Sequence, residues 1–218
     1  MFVGQYISTD YQILPTDDIH YVLERMDEFH CNHLPVVNQK VYQGLISQEV
    51  LLEQDDPNLA IETISHKFNH VYLFDYQHIY DALQLMSSQD YGVLPVLDKQ
   101  YEYLGVLTKQ DILVALNELL GQEEGAIIVL ELGIRDNALS HIARIIESEN
   151  VGILNTSIHH MRDSDKLEMI IKVNKTNVAP VVSSLWRNDY VVKATFGDGS
   201  DQSDIQNRYE LLMNYLDI

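Results

Sequence analysis

Apolar residues in the first half of the chain recur at helical spacing, and they do so twice. Ile19, Val22, Leu23 and Met26 stand at i, i+3, i+4 and i+7, and Ile79, Ala82, Leu83 and Met86 repeat the set at an offset of 60 positions. Each set predicts one apolar helix face. The following segment repeats at the same offset, as Leu34-Pro35-Val36-Val37 and Leu94-Pro95-Val96-Leu97. Gly44-Leu45-Ile46-Ser47 and Gly105-Val106-Leu107-Thr108 are then offset by 61, so one residue was inserted between two strands. A hairpin turn tolerates that insertion, and Asn38-Gln39-Lys40 and Asp98-Lys99-Gln100 suit such turns. Each repeat reads strand, helix, strand, hairpin, strand, helix, over residues 1–60 and 61–120. A unit of about 55 residues is near the lower limit for independent stability. The two repeats are therefore expected to pack as a pair around a shared core, with a cleft between them.

The pattern changes after the Gly/Glu linker at residues 121–125. Ala126, Ile128, Leu130 and Leu132 alternate as a half-buried strand, and Leu139, Ile142, Ile145 and Ile146 mark a helix face. Leu154, Thr156 and Ile158 predict a second strand, and Leu167, Met169, Ile171 and Val173 a third. Val178, Val181, Val182 and Leu185 predict another helix; Tyr190, Val192, Ala194 and Phe196 predict a last strand. The order βαββαβ over residues 126–196 is ferredoxin-like. The expected fold class is thus α/β (α+β): two paired repeats, then a ferredoxin-like domain. In the tail, residues 197–218, an acidic loop leads to a helix opened by Ser203 and Gln206 as a capping box, with Ile205, Tyr209, Leu212 and Leu216 on its apolar face.

Composition narrows the function. The 218 residues are 46% hydrophobic, enough to bury a sizeable core. A net charge of −19 argues against DNA, RNA or anionic lipid, which demand a basic footprint. It does not disfavour a small anionic ligand, because charges beyond ~8 Å are largely screened. The single cysteine, Cys31, fits a reducing compartment, and neither a signal peptide nor a membrane-spanning run is evident, so a cytoplasmic protein is expected. Gly-x-Ser-x-Gly, Walker-type and His-Glu-x-x-His motifs do not occur, which leaves an enzyme as the least favoured class. His30-Cys31-Asn32-His33 lacks a second ligand pair and reads as a turn, His159 and His160 point to opposite strand faces, and the Gly197–Asp201 segment lacks the pattern of a calcium loop. No metal is expected.

The repeated Leu-Pro-Val strand and the Gly-apolar-apolar-Thr/Ser-x-x-Asp segment resemble the CBS domain, named for cystathionine β-synthase, whose tandem pairs form the Bateman module. The resemblance spans residues 1–120. Thr108 would cap a helix running from Lys109 to Leu120, with Asp111 at its third position. An N-terminus of this kind can hold phosphate, and the resemblance implies that Thr108 contacts phosphate and Asp111 the ribose of an adenosine nucleotide such as AMP, ADP or ATP. The same residues also form a variant capping box, in which both side chains serve the helix alone. Lys109 could approach a phosphate. By family analogy the base lies against Val71, Tyr72, Val93, Leu94 and Pro95, residues that ordinary strand core would equally explain. Ser47 keeps the hydroxyl in the first repeat, but Val50 replaces the carboxylate, so that second site is expected to be degenerate. Ile7-Ser8 and Ile64-Ser65 match the dipeptide that often opens such repeats.

The βαββαβ order, with Glu149-Asn150-Val151-Gly152-Ile153 at the first helix-to-strand turn, resembles the ACT domain, which commonly binds amino acids and pairs side by side. Ala138 stands near the usual loop glycine, and its Cβ argues for pairing over amino-acid binding. Two CBS repeats followed by an ACT-like domain resemble the AcuB-type acetoin-utilisation accessory proteins in domain order. The resemblance implies a non-catalytic regulatory homodimer that senses an adenosine nucleotide without a required cofactor and signals through ACT contacts or a client protein. The alternative is an interaction module without a physiological nucleotide.

Overall fold

The structure, a computed structural model, describes residues 1–133, 139–162 and 164–197. It divides into two compact units, residues 1–116 and residues from 117 onward.

The first unit carries both repeats. In the first, α1 (Ile19–Glu28) starts where Asp18 accepts a hydrogen bond from the Tyr21 amide, and it buries Ile19, Val22 and Met26. Strands β1 (His33–Asn38) and β2 (Val41–Ser47) form an antiparallel hairpin, followed by the short α2 (Gln48–Leu52). The second repeat adds β3 (Leu73–Phe74), α3 (Ile79–Ser88), β4 (Val93–Leu97), β5 (Tyr103–Thr108) and α4 (Lys109–Leu119). Its sheet order is β3-β4-β5, with β3 parallel to β4. The opening strand expected for the first repeat shrinks to one parallel bridge, Ile13 to Val36, the counterpart of Leu73 to Val96.

The repeats exchange their lead-in segments. Ser8, in the opening segment of the first repeat, pairs with Val106 on β5, and each amide donates to the other carbonyl at 2.8 Å. Asn69, in the opening segment of the second, pairs in the same way with Leu45 on β2. Both crossings require glycine. A Cβ on Gly105 would stand 2.6 Å from the Ser8 carbonyl oxygen, and one on Gly44 would stand 2.6 Å from Phe68 Cβ. The dipeptide opening the second repeat is therefore Phe68-Asn69. Ile64-Ser65, the expected match, lies inside a 3-10 helix, Ile61–Lys67. Val37 and Leu45 of the first repeat pack into the cluster built on β4 and β5, so the core is shared. Each such fully buried aliphatic side chain contributes roughly 1.5–3 kcal/mol.

In the second unit, β6 (Ala126–Gly133), α5 (Leu139–Ser148), β7 (Ile153–His160), β8 (Lys166–Val173), α6 (Ala179–Arg187) and β9 (Val191–Phe196) follow the expected βαββαβ order. The antiparallel sheet runs β7-β8-β6-β9, the ferredoxin-like arrangement, and α5 and α6 pack on one face through Ile142, Ile146, Val182 and Leu185. The expected alternation of the last strand breaks. A register shift lies opposite Val129 and Leu130, so Val192 is buried while Phe196 is 57% exposed. The loop at residues 134–138, with Ala138, and the tail helix both lie outside the described residues. No helix among the described residues is long and apolar enough to cross a membrane.

Candidate functional site

Where β5 ends, Thr108 becomes the first residue of a reciprocal capping arrangement at α4. The Asp111 amide donates to Thr108 Oγ1 at 3.1 Å, and the Thr108 amide donates to Asp111 Oδ2 at 2.8 Å. Thr108 Oγ1 also donates to the same carboxylate oxygen at 2.6 Å. A third donor arrives from the exchanged lead-in, as Ser8 Oγ lies 3.3 Å from Asp111 Oδ2. Among the described residues no hydrogen bond engages Asp111 Oδ1. One carboxylate oxygen is therefore spent on the helix cap, and the other is left to take a further donor.

A cleft of about 600 Å³ opens beside this helix start, within the drug-sized range. Thr108, Lys109, Gln110, Gly92 and Val93 form one side. Tyr11, Met26, Asp27, Phe29, His30, Cys31, Asn32 and Gln48, all from the first repeat and its lead-in, form the other. The rings of Tyr11 and Phe29 stack with centroids 4.3 Å apart, and the Arg25 guanidinium lies 4.2 Å over Phe29. Desolvation raises the Tyr11 pKa, and the nearby carboxylates of Asp111 and Asp10 add to it, so its hydroxyl stays protonated as a donor. Burial pushes the Cys31 thiol up as well, which makes it a neutral wall of the cleft. Lys109 Nζ reaches Asp90 Oδ1 at 2.9 Å.

The structure brings Thr108, Lys109 and Val93 to this cleft, with Asp111 at the same helix start. The other residues expected to enclose the base lie elsewhere. Leu94 and Pro95 are buried in β4, opposite Leu107 and Val106. Val71 accepts a hydrogen bond from Tyr42 Oη at 2.8 Å, and Tyr72 belongs to an aromatic cluster with Tyr42, Phe74 and Tyr101. The lead-in exchange is the reason, because it delivers Tyr11, not Tyr72, to the helix start of the second repeat. An offset of 61 relates the two tyrosines, and this was the signal in the sequence for Tyr11.

The first repeat's counterpart is differently built. Ser47 caps α2, accepting from the Val50 amide at 3.3 Å, and Val50 brings no carboxylate. Tyr91, the counterpart of Cys31, is buried; it accepts a hydrogen bond from Asn69 Nδ2 at 2.7 Å and meets the His33 ring edge-on at 5.3 Å. Ser47 lines only a separate surface recess with Asn32, His33 and residues of α2. His33 Nδ1 lies 3.0 Å from Asn32 Oδ1, and no group of metal-ligating side chains among the described residues could hold an ion.

Comparison with known proteins places these features in a family. The CBS domain family model matches residues 3–55 and 61–118, just over half of the chain. The Bacillus subtilis transcriptional repressor CcpN is 28% identical over 122 residues, covering 51% of this chain and 54% of that protein, so this chain spans about half the length of that relative. Among solved structures, a CBS domain pair/ACT domain protein from Thermotoga maritima superposes with a TM-score of 0.49 at 23% identity, over 56% of this chain and 100% of that one. The CBS domains of a Streptococcus pneumoniae transcriptional regulator give 0.46 at 21%, over 52% and 98%. CBSX2 of Arabidopsis thaliana, solved in complex with AMP, gives 0.46 at 19%, over 54% and 97%. With two matched repeats whose lead-in segments cross, this chain belongs to the CBS domain family.

Proposed function

We propose that the chain is a non-catalytic regulatory protein that binds one adenosine nucleotide in the cleft beside Thr108 and Asp111. The observation that carries this reading is the cleft itself. Its walls combine the start of α4 with an aromatic surface from Tyr11 and Phe29, and Asp111, beside that helix start but not itself on the cleft wall, keeps one carboxylate oxygen for a ribose hydroxyl. Because its walls come from both repeats, a ligand that favours one relative setting of them shifts the pair toward that state, by no more than its differential affinity. The second unit supplies the output. Its strand β7 is a sheet edge with a free side among the described residues, suited to pairing with a second copy.

Calorimetric titration with AMP, ADP and ATP tests the reading. A single site per chain is expected, weakened by roughly ten- to a hundredfold in Asp111→Ala and unchanged in Ser47→Ala. No heat with any adenosine nucleotide at millimolar concentration would refute it. A second reading has its own observation. Asp111 Oδ2 already holds three donors, as a residue serving only as a helix cap would. On that reading the unit is an interaction module, and Asp111→Ala changes stability alone.

A further inference from the structure

We infer that the cleft beside Thr108 is built for an adenosine ligand of low negative charge, a nucleoside or monophosphate in preference to a di- or triphosphate. This rests on the nucleotide-binding reading above and adds the charge class of the ligand.

The argument is one of local charge. Among the described residues lining the cleft, the lysine or arginine present is Lys109 alone, and the carboxylate is Asp27. Lys109 is already engaged, with its Nζ 2.9 Å from Asp90 Oδ1. That hydrogen bond and the lysine charge together hold the Asp90 carboxyl below its ordinary range, in keeping with a formed pair. Arg25 stands behind Phe29 and is spent on Glu28, at 2.8 Å, and on the Asp10 carbonyl, at 2.9 Å. Asp111 adds a further carboxylate at the helix start.

A longer phosphate chain would therefore enter a site whose cations are already neutralised. It must either draw Lys109 away from Asp90 or lie near Asp27, and because all three groups are exposed and partly screened, the repulsion grows with each added phosphate rather than excluding one outright. The base and ribose meet no such opposition. Tyr11 and Phe29 offer a neutral aromatic surface, while Met26 and Val93 on the same cleft are almost wholly buried. One phosphate can meet the helix start through the Gln110 amide and the helix dipole, since the Lys109 amide already donates to the Gly92 carbonyl and the Asp111 amide to Thr108 Oγ1. The cleft separates ligands by their phosphate count, and the Asp90–Lys109 pair sets the threshold.

The test uses the full chain with EDTA present, at about pH 8 so that ordinary imidazoles are neutral. Adenosine, AMP, ADP and ATP are titrated separately by calorimetry. The expected result is AMP binding about tenfold or more tighter than ATP, with ADP between them. Asp90→Asn, at a side chain 85% exposed and outside the lining, should strengthen ATP more than AMP and narrow that gap. Two results overturn the inference while sparing the nucleotide reading: ATP binding as tightly as AMP, or a gap that Asp90→Asn leaves unchanged. Heat from none of the ligands at millimolar concentration overturns both.

Discussion

Ser8 and Asp111, 103 positions apart, meet at 3.3 Å, where the serine hydroxyl donates to the carboxylate oxygen that also receives the Thr108 amide. The contact ties the start of the chain to the helix start of the other repeat. It also leaves the two oxygens of Asp111 separable: Oδ2 caps the helix, and on the proposed function Oδ1 receives the ligand. Asp111→Ala should lower ligand-free stability by about 1 kcal/mol, the usual value of a cap. It should also weaken nucleotide binding by roughly ten- to a hundredfold, the value of a hydrogen bond to a charged group. Ser47→Ala should reproduce the loss of stability without the loss of affinity. Urea denaturation and calorimetry on the same samples separate the two effects.

Gly105 lies where the lead-in crosses β5, with φ at +159° and a hypothetical Cβ 2.6 Å from backbone oxygen. Because the obstacle is backbone and not the tip of a flexible side chain, Gly105→Ala cannot be absorbed locally. A loss of about 2–4 kcal/mol is expected, combining strain with a displaced strand pairing. The shift of the urea midpoint measures it, and a loss under about 0.5 kcal/mol would contradict the crossing, since that is the usual range of neutral surface changes.

Tyr91 fills the position that Cys31 leaves open in the other repeat. Tyr91→Phe deprives Asn69 of its acceptor at 2.7 Å and should cost about 1 kcal/mol. Tyr91→Ala also removes a buried ring and should cost about 3–5 kcal/mol. Thermal unfolding of the two variants checks both the order and the gap between them.

His33 gives a pH dependence with a definite sign. Burial, the largest influence on it, holds its imidazole below its ordinary pKa of about 6.5. On acidification the unfolded chain takes up a proton there before the folded chain does. The stabilisation from neutral His33 is thus complete above about pH 6.5 and is lost as pH falls through the folded pKa. The urea midpoint of the wild type should fall between about pH 7.5 and pH 5.5 by more than that of His33→Phe, which keeps an aromatic ring beside Tyr91 and does not titrate. Equal slopes would show that burial of His33 is not coupled to folding.

What the sequence disclosed follows from the range of the interactions involved. The fixed offset of 60 and 61 positions exposed both repeats, because helix faces and buried strands are local patterns. The βαββαβ order was legible for the same reason, as Ile142, Ile145 and Ile146 or Leu167, Met169 and Ile171 each declare their period within ten residues. The cap at Thr108 and Asp111 spans a single turn. Two things escaped. The lead-in exchange depends on Ser8 finding Val106 rather than Leu45, a choice made by long-range pairing that local pattern cannot express. Assigning Val71 and Tyr72 to the cleft followed from keeping each lead-in with its own repeat. The shift in β9 is likewise a property of its pairing with β6, so Tyr190, Val192, Ala194 and Phe196 alternate in sequence but not in space.

The crossed lead-ins make the two halves mutually dependent. A fragment ending near residue 60 would retain its helices and hairpin yet lack the strand that closes its own edge, because Asn69 lies on the far side of the cut. The complementary fragment would lack Ser8. Each piece alone is short of a part that only its twin can lend, so the pieces should be folded together and unfolded apart. Such reciprocity also suits a gene that doubled: two identical ancestral chains could trade these arms between molecules, and a peptide bond joining them would turn the trade inward.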